Sequence, residues 1–185
     1  MITILVVVGV FVLFFVVTRN GLISKKNNVK NAFASIDTLL KKRYDLIPNL
    51  IETVKTYMKH EKSTLTEITE LRAKAMSGDL SDSEKMAIDQ KMSKLMGGIM
   101  VAVENYPDLK ANQNFLQLQA SLNEIEEQIS AARRAYNSSV TVFNNAVEMF
   151  PSNIIAGLMH YTQKDLFEIA ESERQNVNVG EMFKK

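Results

Sequence analysis

Side chains able to do chemistry are scarce in this chain. Only two histidines occur, His60 in "KHEK" and His160 in "LMHY", and there is no cysteine. Thiolate nucleophiles, disulfides, zinc–thiolate centres and a lipidated cysteine are thereby excluded. A zinc-hydrolase helix needs a second histidine one turn on, which "HEKST" from His60 lacks. His60 reads as a solvated helix residue and His160, after an apolar turn, as an interfacial one. There is no G-x-S-x-G elbow, and "GGIMVAVE" from Gly97 has neither the Walker spacing nor its lysine. Carboxylate neighbours such as Glu126 and Glu127 read as a solvated helix face. The expectation is a protein that is not an enzyme, with no catalytic, cofactor or metal site.

Basic residues carry a more specific message. Between Arg19 and Arg43 lie seven bases against one acid, Asp37, although the formal net charge is only +1. That small total gives no electrostatic case for nucleic acid. Arg19, Lys25, Lys26 and Lys30 follow directly on "MITILVVVGVFVLFFVV", which carries no charge. At ~1.5 Å per residue this run covers roughly 26 Å, near the ~30 Å hydrocarbon core, and Thr18 and Asn20-Gly21 can extend it. It reads as a retained transmembrane anchor. A cleaved signal peptide would carry a basic leading segment and a small-x-small site, for which "VVTRNG" is poor. A buried core helix would need cover on every face. Because the bases all follow the span, the positive-inside rule puts the N-terminus outside and the body in the cytoplasm. The four bases either set topology alone or also bind an anionic leaflet, at ~1 kcal/mol each.

The elements that position these groups are helices. Seven glycines and three prolines in 185 residues favour long uninterrupted ones. Val29, Phe33, Ile36 and Leu40 form one apolar stripe. Leu50, Val54 and Tyr57, then Leu65, Ile68, Leu71 and Ala75, form a second. "SGDLSDSEK" from Ser77 offers turn and cap residues, and Ile88, Met92, Leu95, Ile99 and Val103 mark a third helix that ends near "ENYPDLKAN". The fourth runs from Phe115 through Leu122, Ile129, Tyr136 and Phe143 to Phe150, a helix of roughly 35 to 40 residues suited to near-parallel bundle packing. In "RYDLIPNLIETVKTYMKHE", Asp45 reads as an N-cap and Pro48 as a first-turn proline, which predicts a corner there, with Lys41, Lys42 and Arg43 closing the preceding helix. Met86, Met92, Met96 and Met100 are either core fillers or an adaptable partner surface.

"KKRYDLIPNLIETVKTYMKHE", "ENYPDLKANQNFLQLQ" and "ARRAYNSSVTVFNNAVEMFP", in this order and behind an apolar N-terminal span, closely resemble the LemA family of bacterial membrane-anchored helical proteins. The resemblance covers roughly residues 20–151 and continues weakly beyond. It implies an all-α fold: an N-terminal transmembrane helix followed by an antiparallel bundle of long helices, single-pass in a bacterial inner membrane. It implies no catalytic activity, and one branch is associated with organising internal membranes. Gly97-Gly98 and the lysine-ended "QNVNVGEMFKK" depart from the family's pattern.

Within the family-like motifs, Arg43, Asp45, Asn49, Asp108, Asn112, Asn114, Arg133, Tyr136 and Asn137 are the candidate site residues. They either fix helix register, for instance by Arg133 reaching Asp37 or Asp45, or line a pocket for a small ligand or a partner's tail. The chain divides into an anchor (1–18), a basic juxtamembrane segment (19–28), a LemA-like bundle (29–160) and a tail (161–185). The expected role is a non-enzymatic membrane scaffold, self-assembling as a homo-oligomer and membrane-organising. The alternative is an adaptor or regulatory subunit for a membrane protease or transporter. Expected partners are the lipid bilayer, further copies and a membrane protein, not nucleic acid.

Overall fold

The computed structural model describes residues 1–78 and 80–167, and within them every regular element is a helix. The sequence "QNVNVGEMFKK" lies outside the described residues. In chain order the elements are α1 (Ile2–Val54), α2 (Lys62–Ala75), α3 (Asp82–Val103), α4 (Pro107–Lys110), α5 (Gln113–Glu148) and α6 (Ser152–Leu158). Local chemistry sets several boundaries. Ser81 caps α3 in a capping box: its hydroxyl accepts from the Glu84 N–H, and the Glu84 carboxylate accepts from the Ser81 N–H at 2.9 Å. Asn112 caps α5, its Oδ1 accepting from the Phe115 N–H at 3.1 Å. Pro107 opens α4, where a missing N–H costs nothing.

Side-chain pairs give the topology. Phe33 meets Tyr136 (5.8 Å between ring centroids) and Arg43 meets Glu126 (2.8 Å), so ten residues down α1 match ten back along α5. Lys85 pairs with Asp37 and Asp89 with Arg43, so α3 runs in the direction of α1. Arg72 reaches Tyr44 while Glu61 reaches Tyr106, so α2 runs against it. The result is the expected antiparallel bundle of long helices. Its core follows the apolar stripes, with Ile36, Leu40, Ile47, Leu50, Ile68, Met92, Ile99, Phe115, Ile129 and Phe143 buried. Met92 and Met96 are core residues, and Met86 and Met100 pack against them. The 36 residues of α5 match the length expected for the fourth stripe.

The corner at Pro48 does not exist. α1 runs through Pro48 without a break and ends at Val54, and the chain turns over residues 55–61 instead. Asp45 is an exposed mid-helix residue rather than a cap, and Arg43, expected in a solvated last turn, is buried. Two causes override the proline. The buried series Ile36, Leu40, Arg43, Ile47, Leu50 and Val54 keeps one phase across it, so packing holds the helix together. An interior proline also leaves the carbonyl four residues back without its N–H donor. Here that carbonyl belongs to Tyr44, and the Arg72 Nε–H of α2 donates to it at 2.8 Å.

This predicts a coupled pair. Arg72→Met should cost about 1 to 3 kcal/mol because it strands a half-buried carbonyl. In a Pro48→Ala background residue 48 supplies its own N–H, and the cost should fall by at least ~1 kcal/mol. Chemical denaturation of the four proteins measures this; equal costs in both backgrounds would contradict the assignment.

Candidate functional site

The nine candidate polar residues do not converge on one place. Four features emerge, beginning with a buried charge network across α1, α3 and α5. Arg43 is 1% exposed; its Nη2 donates to Asp89 Oδ1 at 2.5 Å, and its Nη1 to Glu126 Oε2 at 2.8 Å and Ser93 Oγ at 2.9 Å. Arg133 donates through Nη2 to the other Asp89 oxygen at 2.6 Å, and its Nη1 lies 3.7 Å from Glu126 Oε1. Two guanidinium groups thus face two carboxylates, and Asp89, also 1% exposed, is shared between them. Burial alone pushes the Arg43 pKa down, but Asp89 and Glu126 outweigh it and hold the group above its ordinary value. Arg133 does not reach Asp37, which pairs with Lys85, nor does Asp45 join the network.

The second feature is an extended segment, residues 161–167, held against α5. Asn137 clamps Phe167 by its main chain: its amide donates to the carbonyl at 2.9 Å and its Oδ1 accepts from the N–H at 2.8 Å. Seven residues on, Asn144 makes the same pair of bonds to Lys164, both at 2.9 Å. The Tyr136 hydroxyl donates to the Asp165 carbonyl at 3.2 Å between them. Phe167 is buried, with Tyr136 edge-on at 5.3 Å and Phe33 stacked at 6.3 Å. Burial, then the charges of Asp82 and Asp165, push the Tyr136 hydroxyl up to about 12.

Thirdly, Asn49 and Asn114 line a shallow, open cleft of about 300 Å³ between α1 and α5, with Thr53, Gln117 and Ser121. Asn112 caps α5 and also donates to the Tyr57 hydroxyl at 3.4 Å, while Asp108 is exposed in the first turn of α4. Finally, the bases Arg19, Lys25, Lys26 and Lys30 line the first exposed turns of α1 beyond its apolar run, where Lys26 Nζ sits 4.9 Å over the Tyr161 ring. His60 and His160 are both exposed, one just past the end of α1 and the other beside Tyr161, at opposite ends of the body. Among the described residues no three acids or histidines gather as metal ligands.

The sequence did not single out Asp89, Ser93 and Asn144, and Glu126, expected on a solvated face, is instead 44% exposed and paired with Arg43 and Arg133. Asp89 had a visible signal, since it keeps three-four spacing with Met92, Met96, Ile99 and Val103 and so falls on the buried stripe. Glu126 sits in the same relation to Leu122 and Ile129.

One helix carries an uncovered apolar run, long and apolar enough to cross a membrane, directly into the bundle. That combination defines a membrane-associated helical bundle protein. The chain belongs to the LemA family, whose model matches residues 32–180. It is similar to Protein LemA of Metamycoplasma hominis, 27% identical over 175 residues, covering 95% of this chain and 80% of that one. It is also similar to Magnetosome protein MamQ 2 of Paramagnetospirillum magneticum, at 20% over 183 residues, and to Magnetosome protein MamQ of Magnetospirillum gryphiswaldense, at 18% over 182 residues. Each of these pairings covers 85% of this chain and 67% of the relative. None of these relatives bears an enzyme's name.

Two predictions test the site. Asp89→Ala leaves Arg43 buried without its main partner and should cost about 3 to 5 kcal/mol. Glu126→Gln, on a side chain 44% exposed, should cost far less. Denaturant melts of the two variants give the ordering, and its reversal would remove Asp89 as the hub. For Tyr136 the sign follows from its raised pKa. Above pH 10 the unfolded chain releases the phenol proton first, so stability is lost progressively towards pH 12. Tyr136→Phe should therefore be less stable than the parent near neutrality and narrow or reverse that gap by pH 11.5. A gap that stays constant with pH would show that the hydroxyl is not shielded.

Proposed function

We propose that the protein is a non-enzymatic membrane scaffold, anchored by a single retained span and assembling laterally with copies of itself. The carrying observation is that anchor and bundle share one helix: α1 has no break between Val17 and buried Leu22. No extended segment is offered there for signal peptidase, which supports a retained anchor over a cleaved leader. A continuous helix also gives the body a fixed attitude to the bilayer. Rods held in one plane face each other at raised effective concentration, which favours lateral contacts weak in solution. The magnetosome names of the MamQ relatives support a membrane-organising sense of this role. The bases after the span favour an N-out, cytoplasmic-body topology in a bacterial inner membrane, and attraction of the collar to anionic lipid adds roughly 3 to 4 kcal/mol before screening.

The Asn137–Asn144 clamp favours a second reading, an adaptor. Both asparagines read main chain rather than side chains, so an extended segment of a membrane-protein partner can compete for the same groove.

One experiment separates the two readings. The full chain in lipid nanodiscs or several detergents should form large homo-oligomers. Residues 19–185, which keep the whole core from Leu22 onward, should stay small at the same concentration. Monomer throughout, with one stoichiometric partner crosslinked in cells, would replace the scaffold by the adaptor. A reporter fused after Lys185 that works only outside the cytoplasm would overturn the orientation.

A further inference from the structure

Eleven consecutive residues, Met149 to Met159, carry no charge, and they form the corner after α5 and the whole of α6. One side of α6 is accounted for: Ile155 and Ala156 are buried with Leu22 of α1, beside Ala146 and Val147 of α5. Among the described residues nothing is packed on the other side. Ile154 is 58% exposed and Leu158 68%, one turn apart on the side of α6 turned away from the bundle, and Phe150 (79%) and Met149 are exposed in the corner that precedes it. A contiguous apolar patch without a charge among its residues is costly to hold in water.

Its depth says what covers it. The register of α1 against α5 brings Glu148 level with Gly21, so α5 ends about one turn beyond the apolar run of α1, and α6 packs at Leu22. Leu22 lies five residues past Val17, about 7 Å along the helix. The polar layer of one leaflet is roughly 5 to 8 Å deep, half the difference between the full bilayer and its hydrocarbon core. α6 therefore sits at headgroup level whenever the span is inserted. Arg19 stands within the same layer and Lys25 and Lys26 about one turn further out, from where their long side chains can reach back to lipid phosphates while the apolar face reaches the acyl boundary.

We propose that α6 and the corner before it are a second membrane contact, an interfacial element whose exposed Ile154 and Leu158, with Phe150 of the corner, enter the headgroup–acyl boundary of the leaflet that the span leaves. The inference rests on the anchor reading. It adds a role for the corner after α5: two contacts, span and α6, pin the body's rotation about the helix axis as well as its depth.

The chain has no tryptophan, so single-tryptophan fluorescence reports position directly. The full chain is reconstituted into phosphatidylcholine–phosphatidylglycerol vesicles with bromines placed shallow or deep on the acyl chains. Leu158→Trp and, as a second exposed position, Ile154→Trp should emit at shorter wavelength and be quenched most by shallow bromines. Phe14→Trp, inside the span, should be quenched most by deep ones. Val101→Trp, exposed at the far end of α3, should be quenched by neither. If Phe14→Trp is quenched while both α6 variants behave as Val101→Trp, the α6 contact is wrong and the anchor stands. If Phe14→Trp is also unquenched, both fall together. Short-wavelength α6 emission without lipid quenching would mean that a second copy covers this face, and it too overturns the proposal.

Discussion

The Arg43 guanidinium is the constraint around which the bundle is arranged. A charge this deeply buried is tolerated only with counter-charges and hydrogen bonds in good geometry. Asp89 from α3 and Glu126 from α5 supply the charges, and Ser93 adds a hydrogen bond. Asp89 must turn its second oxygen to Arg133, so the rotation of α3 and the axial position of α5 are set by one carboxylate. Apolar stripes alone tolerate a slip of a heptad, because leucine and isoleucine pack about equally well one repeat along. A slip here would pull both arginines away from their carboxylates. That asymmetry supports the register reading of the network, which lies about halfway down the stretch of α1 that packs in the bundle.

Below Arg43, towards the far end, four long helices cover one another. Above it the bundle thins. The turn between α2 and α3 lies near Asp37, Lys41 and Tyr44, so neither helix follows α1 up towards Leu22. The α1–α5 seam at Phe33 and Tyr136 would be open there. Residues 161–167 close it, with Phe167 filling the aromatic gap and two asparagines one heptad apart satisfying main-chain groups that no strand or helix serves. An extended strap thus replaces a pair of helices over the membrane-proximal half. It explains why Tyr136, on the apolar seam, carries a hydroxyl and why Asn137, beside that seam, is polar.

What the sequence showed and hid follows from which interactions are periodic. Long stripes are, so the buried faces and the length of α5 were legible from Phe33, Leu122, Ile129 and their neighbours; the antiparallel order was implied by the family resemblance, and the division into helices was misplaced at Pro48. Charged residues in phase with a stripe are also legible in principle, and Arg43 and Arg133 were singled out, but their partners require the three-dimensional register. Pro48 misled because local propensity was read without tertiary context. Nothing local announces that a guanidinium 24 residues on, at Arg72, supplies the donor the proline lacks. The strap was invisible for another reason: recognition through its main chain leaves no pattern in its side chains. Where α1 ends, at Val54, neither glycine nor proline marks the boundary, although Met58 in the turn that follows is buried.

The proposed scaffold role depends on stiffness more than on any single group. A body joined to its anchor by a flexible linker samples many orientations, and each lateral contact must then overcome that lost freedom. In this chain the residues from Arg19 to Val54 extend the spanning helix by roughly 50 Å into the body without a loop. Under the scaffold proposal, neighbouring copies in one leaflet would meet with their long axes already aligned. Rotation about the helix axis is the freedom a lone span leaves unconstrained, and an uncharged corner seated at headgroup depth would remove it. Alignment, depth and rotation together determine which faces meet, so a modest contact area can suffice for ordered assembly in the membrane where the same area in solution would not.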